Sequence, residues 1–148
     1  MGLRKHKVGR ADMRRSRELV RKLPRQVIIA GYVARTLALE AFIVGVRVPG
    51  TDLDLVGIRD ESIVVAEVKR RLGPWNIDRA VLQLDFRRLL SHETYLAIPK
   101  EDVWYALAMI PSQYGIVSFS RDGVARIARP ARVRHSPPYT NMLRMMFT

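Results

Sequence analysis

The chain has 148 residues, 48% of them hydrophobic, which suits one domain with a real core. Twenty-six Lys and Arg against fourteen Asp and Glu give a net charge of +12, pointing to a polyanionic partner, nucleic acid before an anionic membrane surface. No apolar run reaches about 18 residues and no signal peptide follows the basic start, so a soluble, cytoplasmic protein without membrane association is expected; zero cysteines exclude disulfides and thiolate metal sites, and His6, His92 and His135 are too scattered for zinc.

Residues 1–10, MGLRKHKVGR, have little to bury and read as a mobile basic arm, with Lys5 and Lys7 as phosphate contacts. Asp12 to Leu23 reads as a short amphipathic helix, and Arg25 to Ala41 as a longer one whose Ile29, Val33, Leu37 and Ala41 form an apolar line. Phe42 to Val48 is the first strand. Pro49-Gly50-Thr51 breaks the chain before Leu53–Ile58, and Ile63–Lys69 follows across the polar turn Arg59-Asp60-Glu61-Ser62. Both segments are rich in β-branched residues and should pair antiparallel. Setting Ile58 against Ile63 places Asp54 directly opposite Glu67, with Cβ atoms about 5 Å apart. Alternation adds Lys69 to the face of Glu67 and Asp52 to that of Asp54. Opposed like charges destabilise a hairpin unless something positive lies between them. Lys69 and a divalent cation would meet that need, and oxygen ligands suit Mg2+ or Mn2+. The competing reading, a surface hairpin with a charged face, fits poorly with such apolar flanks.

Gly73-Pro74-Trp75-Asn76 is a break and a helix start, and Ile77–Leu90 is helical, with Ile77, Val81 and Leu84 turned to the core. Arg79, Gln83 and Arg87 recur at four-residue spacing and should form a polar, cationic stripe beside the acids. Thr94–Pro99 reads as a strand, Glu101–Met109 as a helix and Gly115–Phe119 as a strand; Asp122-Gly123 then turns the chain into Val124–Ala128. Residues 11–130 should form the single domain, and 131–148 a basic and apolar tail ending in Met142, Leu143, Met145, Met146 and Phe147. Trp75 and Trp104 are assigned to the core rather than to base stacking.

Asp54, then Glu67-Val68-Lys69 after twelve intervening residues, resembles the catalytic pattern of the PD-(D/E)xK nuclease superfamily, which includes restriction endonucleases, archaeal Holliday-junction resolvases and RecB-type nucleases. The resemblance covers most of the chain. It implies an α/β fold with a restriction-endonuclease-like α-β-β-β-α-β core, a mixed central sheet flanked by helices, here with a C-terminal hairpin extension. It also implies Mg2+- or Mn2+-dependent phosphodiester hydrolysis, with Asp54 and Glu67 as metal ligands, Lys69 orienting the attacking water, and Gln83 bordering the site. Many members carry a further Glu on the helix before the first strand. This chain has no clean equivalent, so Glu40 and Asp52 are the secondary metal candidates. Arg70, Arg71, Arg79 and Arg87 join Lys5 and Lys7 as nucleic-acid contacts, with DNA favoured over RNA. Paired cutting of two strands would require a homodimer, for which the apolar tail offers a self-complementary patch, and the alternative is that the tail covers the monomer's own core. The alternatives are a nucleic-acid-binding protein that kept the fold without turnover, and an interaction module of a repair or processing complex.

Overall fold

The computed structural model describes residues 25–148; the basic arm with Lys5 and Lys7, and the helix expected over Asp12–Leu23, lie outside the described residues. Helix α1 (Gln26–Thr36) is followed by strands β1 (Ala41–Val48), β2 (Thr51–Arg59) and β3 (Ser62–Val68). Then come α2 (Ile77–Arg88), β4 (Glu93–Pro99), α3 (Val103–Met109), β5 (Gly115–Phe119), β6 (Ala125–Arg129) and α4 (Thr140–Arg144). The strands form one mixed sheet in sequential order, β1 to β6. β1, β2 and β3 are an antiparallel meander, β4 and β5 run parallel to β3, and β6 returns antiparallel as the expected C-terminal hairpin.

Helices cover both faces, which is why the inner strands are apolar on both sides and β4 is buried along its whole length. Ile29, Val33 and Leu37 of the α1 segment pack on Leu55, Val64, Ala66, Val68 and Ala97. On the opposite face Ile77, Ala80 and Leu84 of α2 and Ala106 of α3 pack on Leu96, Ile98 and Ile116. Among the described residues no helix is long and apolar enough to cross a membrane.

Helix α1 stops five residues short of the expected Ala41. Ala38 has φ 54°, and the N–H groups of Ala38 and Leu39 donate to the carbonyls of Arg35 and Ala34, the double bond of a Schellman cap. An Ala occupies the position usually held by Gly, so the stop leaves little trace in the sequence. The guanidinium of Arg59 donates to the Leu37 carbonyl and pairs with Glu93 at 2.6 Å, tying the end of the helix to the sheet.

The β2–β3 hairpin has the expected register, Ile58 opposite Ile63, across a turn with φ of 49° at Asp60 and 66° at Glu61. Positive φ at both central residues is what a type I′ turn requires.

At the other end of the hairpin, strict alternation breaks. Leu55 faces the α1 core, but Leu53, two residues earlier, packs with Val56, Ile63 and Val65 on the opposite face. The same switch separates Val44 from Val46 on β1. Between these pairs lie Gly45, with φ 72°, and Asp54, which the β1–β2 register sets opposite each other. A glycine in the left-handed region therefore rolls the β1–β2 ribbon about its own axis at this point. The β2–β3 ladder ends at Leu55 and Ala66, one residue before Asp54 and Glu67.

The tail does not form a separate unit. Leu143 is fully buried against Val46, Val48, Leu53 and Leu90, Phe147 packs beside it, and the Tyr139 N–H donates to the Leu89 carbonyl at 2.9 Å. The apolar end that motivated a homodimer thus covers the chain's own sheet, leaving Met142, Met145 and Met146 outside. Trp75 and Trp104 also depart from expectation, being exposed rather than core residues, Trp104 at 80%.

A Cβ at Gly45 would meet no atom within 4 Å, so only its backbone conformation resists substitution. Gly45→Ala should therefore cost about 1–2 kcal/mol. Gly31→Ala, equally open but inside α1, should gain about 0.5–1 kcal/mol. Urea unfolding of both variants checks this opposition, and equal effects would remove the kink from the account.

Candidate active site

Where the ladder stops, Asp54 takes over its role. Its Oδ2 accepts the Val68 N–H at 2.8 Å, a bond that the neighbouring backbone would otherwise make, while the next N–H, of Lys69, reaches across to the Ala97 carbonyl at 2.9 Å. Asp54 is thus fixed in the gap between β2 and β3. Glu67, on the facing strand and only 5% exposed, turns its carboxyl toward the α2 side. Lys69 Nζ stands 4.0 Å from Glu67 Oε1 with its side chain largely covered. The three residues expected to converge do so.

Arg87 completes the cluster in an unexpected way. It is only 2% exposed, and its Nε lies 2.5 Å from Glu67 Oε2, an ion pair rather than a linear hydrogen bond. Its other nitrogens donate to the Gln83 carbonyl at 2.9 Å and the Asp52 carbonyl at 3.0 Å, with Thr51 Oγ1 at 3.4 Å. The expected cationic stripe is therefore split. Arg79 is exposed, and its charge reaches Lys69, whereas Arg87 points inward and offers nothing to a phosphate. A signal for this was present in the sequence. Arg87 continues the apolar line Ile77, Ala80, Leu84, and a cation on the buried stripe of a helix requires a buried anion.

Other candidates are placed elsewhere. Asp52 is exposed and pairs with Arg47 across the β1–β2 ribbon at 3.4 Å, because the roll at Gly45 breaks the alternation that would have aligned it with Asp54. Glu40 accepts the Asp60 N–H at 2.8 Å, capping the turn at the far end of the hairpin, so it supplies no ligand here. Arg71 is held by Asp102 through two contacts of 3.0 and 3.1 Å, and the same carboxylate accepts the Leu72 N–H. Arg70 is half-buried. Gln83 lies one turn before Arg87, with its side-chain carbonyl shielded and without a hydrogen-bond partner.

Burial drives the Glu67 carboxyl up to about 8, and its hydrogen bond with Asp54 and the repulsion of that carboxylate add to the rise; Arg87 and Lys69 oppose it. Burial also lowers Lys69, assisted by Arg79 and Arg87 and resisted by Glu67 and Asp54. Among the described residues no group of three or more His, Asp or Glu is placed to hold a metal. The two-carboxylate set still suits a hard ion that retains several waters, since Mg2+ is commonly held by one or two carboxylates. Beside the facing acids, an open pocket of about 350 Å³ is lined by Val27, Val44, Gly45, Arg47, Asp52 and Asp54 among others, so Asp54 is reachable from solvent.

No protein-family model and no curated protein matches the chain. Among solved structures, a protein of unknown function from Silicibacter pomeroyi is similar, with a TM-score of 0.59 and 19% sequence identity, covering 80% of this chain and 79% of that one. At that identity the likeness shows a shared fold alone.

A carboxyl raised by the fold favours the native state at low pH and loses that advantage as pH rises. For Glu67 the window runs from its ordinary value near 4.5 to about 8. Without divalent ions, the stability difference between the wild type and Glu67→Gln should therefore fall as pH rises across that window. Urea unfolding at several pH values measures it, and a difference that grew with pH would reverse the assignment.

Proposed function

We propose that the protein is a metal-dependent nuclease that hydrolyses phosphodiester bonds, with DNA the favoured substrate. The observation carrying this reading is the convergence of Asp54, Glu67 and Lys69 at the point where β2 and β3 part. The order of elements supports it: one helix, an antiparallel meander of three strands, a helix, and a strand parallel to the third. That is the α-β-β-β-α-β order of a restriction-endonuclease-like core.

Asp54 and Glu67 would hold Mg2+ or Mn2+, which supplies Lewis-acid polarisation of a phosphate and acidifies a bound water. Lys69, partly covered and beside Glu67, orients the attacking water and stabilises charge developing on the phosphate. Gln83, one turn before Arg87 on α2, borders the site. Arg79 on the exposed side of α2 contacts the backbone of the nucleic acid.

A second reading, a nucleic-acid-binding protein without turnover, is favoured by one observation: Arg87 already occupies an oxygen of Glu67. Divalent-ion binding separates the two.

A panel of DNA and RNA structures incubated with Mg2+ or Mn2+, and with a chelator, tests the proposal directly. Cleavage should require the ion, and Ala at Asp54, Glu67 or Lys69 should lower it by about a hundredfold or more. Binding of nucleic acid should largely persist. Full activity in both Asp54→Ala and Glu67→Ala would sink the assignment.

The net charge of +12 predicts affinity carried by phosphate contacts. With about five phosphates neutralised, log K against log salt should slope near −4.5 on duplex DNA. A flat response in a filter-binding titration would argue against a polyanionic partner.

A further inference from the structure

We propose that Arg87 is the built-in second cation of the carboxylate pair, so that Asp54 and Glu67 take up a single divalent ion; this rests on the nuclease reading above. Two features of Arg87 carry the inference.

The first is occupancy. The guanidinium sits 2.5 Å from Glu67 Oε2, so a positive group already occupies that oxygen and would repel a second cation brought to it.

The second is immobility. All three guanidinium nitrogens are engaged, with Glu67, with the Gln83 carbonyl, and with the Asp52 carbonyl and Thr51 hydroxyl. The residue is 2% exposed. Swinging out would abandon every partner and leave Glu67 buried beside Asp54 with only Lys69, at 4.0 Å, to offset its charge.

Arg87 is in this sense a positioning residue as well as a charge. It bridges Glu67 on β3 to the Asp52 carbonyl on β2 beyond the last ladder pair, at Leu55 and Ala66. It thereby spans the gap that the ladder leaves open and fixes the separation of the two carboxyl groups.

Electron paramagnetic resonance of Mn2+ titrated into the full chain counts the bound ions and shows whether they are isolated. Wild type should bind one Mn2+ per chain, with the spectrum of an isolated ion, and Glu67→Gln should lose it. Arg87→Met, checked for folding by circular dichroism, should admit a second Mn2+, while Arg87→Lys should restore the count to one. Two ions in the wild type, or the spectrum of a spin-coupled pair, would overturn the proposal while leaving the nuclease reading intact. So would a folded Arg87→Met that still binds one ion with unchanged affinity. If Arg87→Met fails to fold, the wild-type count and spectrum decide alone. Absence of any Mn2+ binding would overturn both readings, whereas one bound ion without cleavage of any substrate would remove the nuclease reading and keep the role of Arg87.

Discussion

Two carboxyl groups facing each other across adjacent strands, inside a sheet covered on both faces, are the constraint to which the surrounding residues answer. A buried carboxylate is costly, and a second one opposite raises the cost further. The chain responds in three ways. Glu67 retains its proton to higher pH, Arg87 and Lys69 approach it from either side, and Asp54 gains the Val68 N–H as a hydrogen-bond donor. Each response depends on the strands parting where they do. With the ladder continued past Leu55 and Ala66, the Val68 N–H would be taken by backbone and Asp54 would have no fixed place. The parting coincides with the roll of the β1–β2 ribbon at Gly45, so one residue with φ 72° on the edge strand shapes the site two strands away.

Much of this was legible in the sequence, because hydrophobic alternation and turn placement fix register. A slip of one residue would exchange the two faces of the hairpin, and with both faces buried the penalty is large. The pairing of Ile58 with Ile63, and hence the approach of Asp54 to Glu67, therefore follows from pattern alone. The order of helices and strands follows for the same reason. What was not legible depends on residues acting against local preference. Leu37-Ala38-Leu39-Glu40-Ala41 is good helix-forming sequence, yet the helix ends at Thr36, just before it, where Arg59 captures the Leu37 carbonyl and Leu39 is drawn against the sheet. Asp52 was misplaced by assuming strict alternation through a strand whose partner carries a glycine. Gly45 within Phe42–Val48 was the available warning.

The misreading of Arg87 has a different cause. Spacing of four residues along a helix puts side chains on one face, and Arg79, Gln83 and Arg87 do share one. That face is not uniform in its surroundings. At its N-terminal end Arg79 is open to solvent, whereas at its C-terminal end Arg87 meets the strands and the Asp52 carbonyl. Periodicity gives direction around a helix axis and says nothing about what each turn meets along it. The tail was ambiguous for a related reason: an apolar cluster must be covered, and composition does not say by what. Leu143 is covered by the chain's own Val46, Leu53 and Leu90.

Stability alone gives no reason for the arrangement around Asp54. Leu53, Leu55, Ala66 and Val68 flank the two acids in sequence and are buried, so an apolar residue in place of the buried Glu67 would continue the core. Replacing buried ionic groups by packed apolar ones is often neutral or stabilising by about 1–4 kcal/mol. The chain instead keeps two acids, commits a fully enclosed arginine to one of them, and still leaves that carboxyl raised to about 8. Arg87 and Lys69 each approach Glu67, at Oε2 and Oε1, whereas the N–H of Val68 is the hydrogen-bond donor at Asp54. A cation entering between the carboxyls would meet two acids whose places are set by the fold. Local sequence preference and core packing are satisfied almost everywhere else in the hairpin, so the departure is confined to these two facing residues.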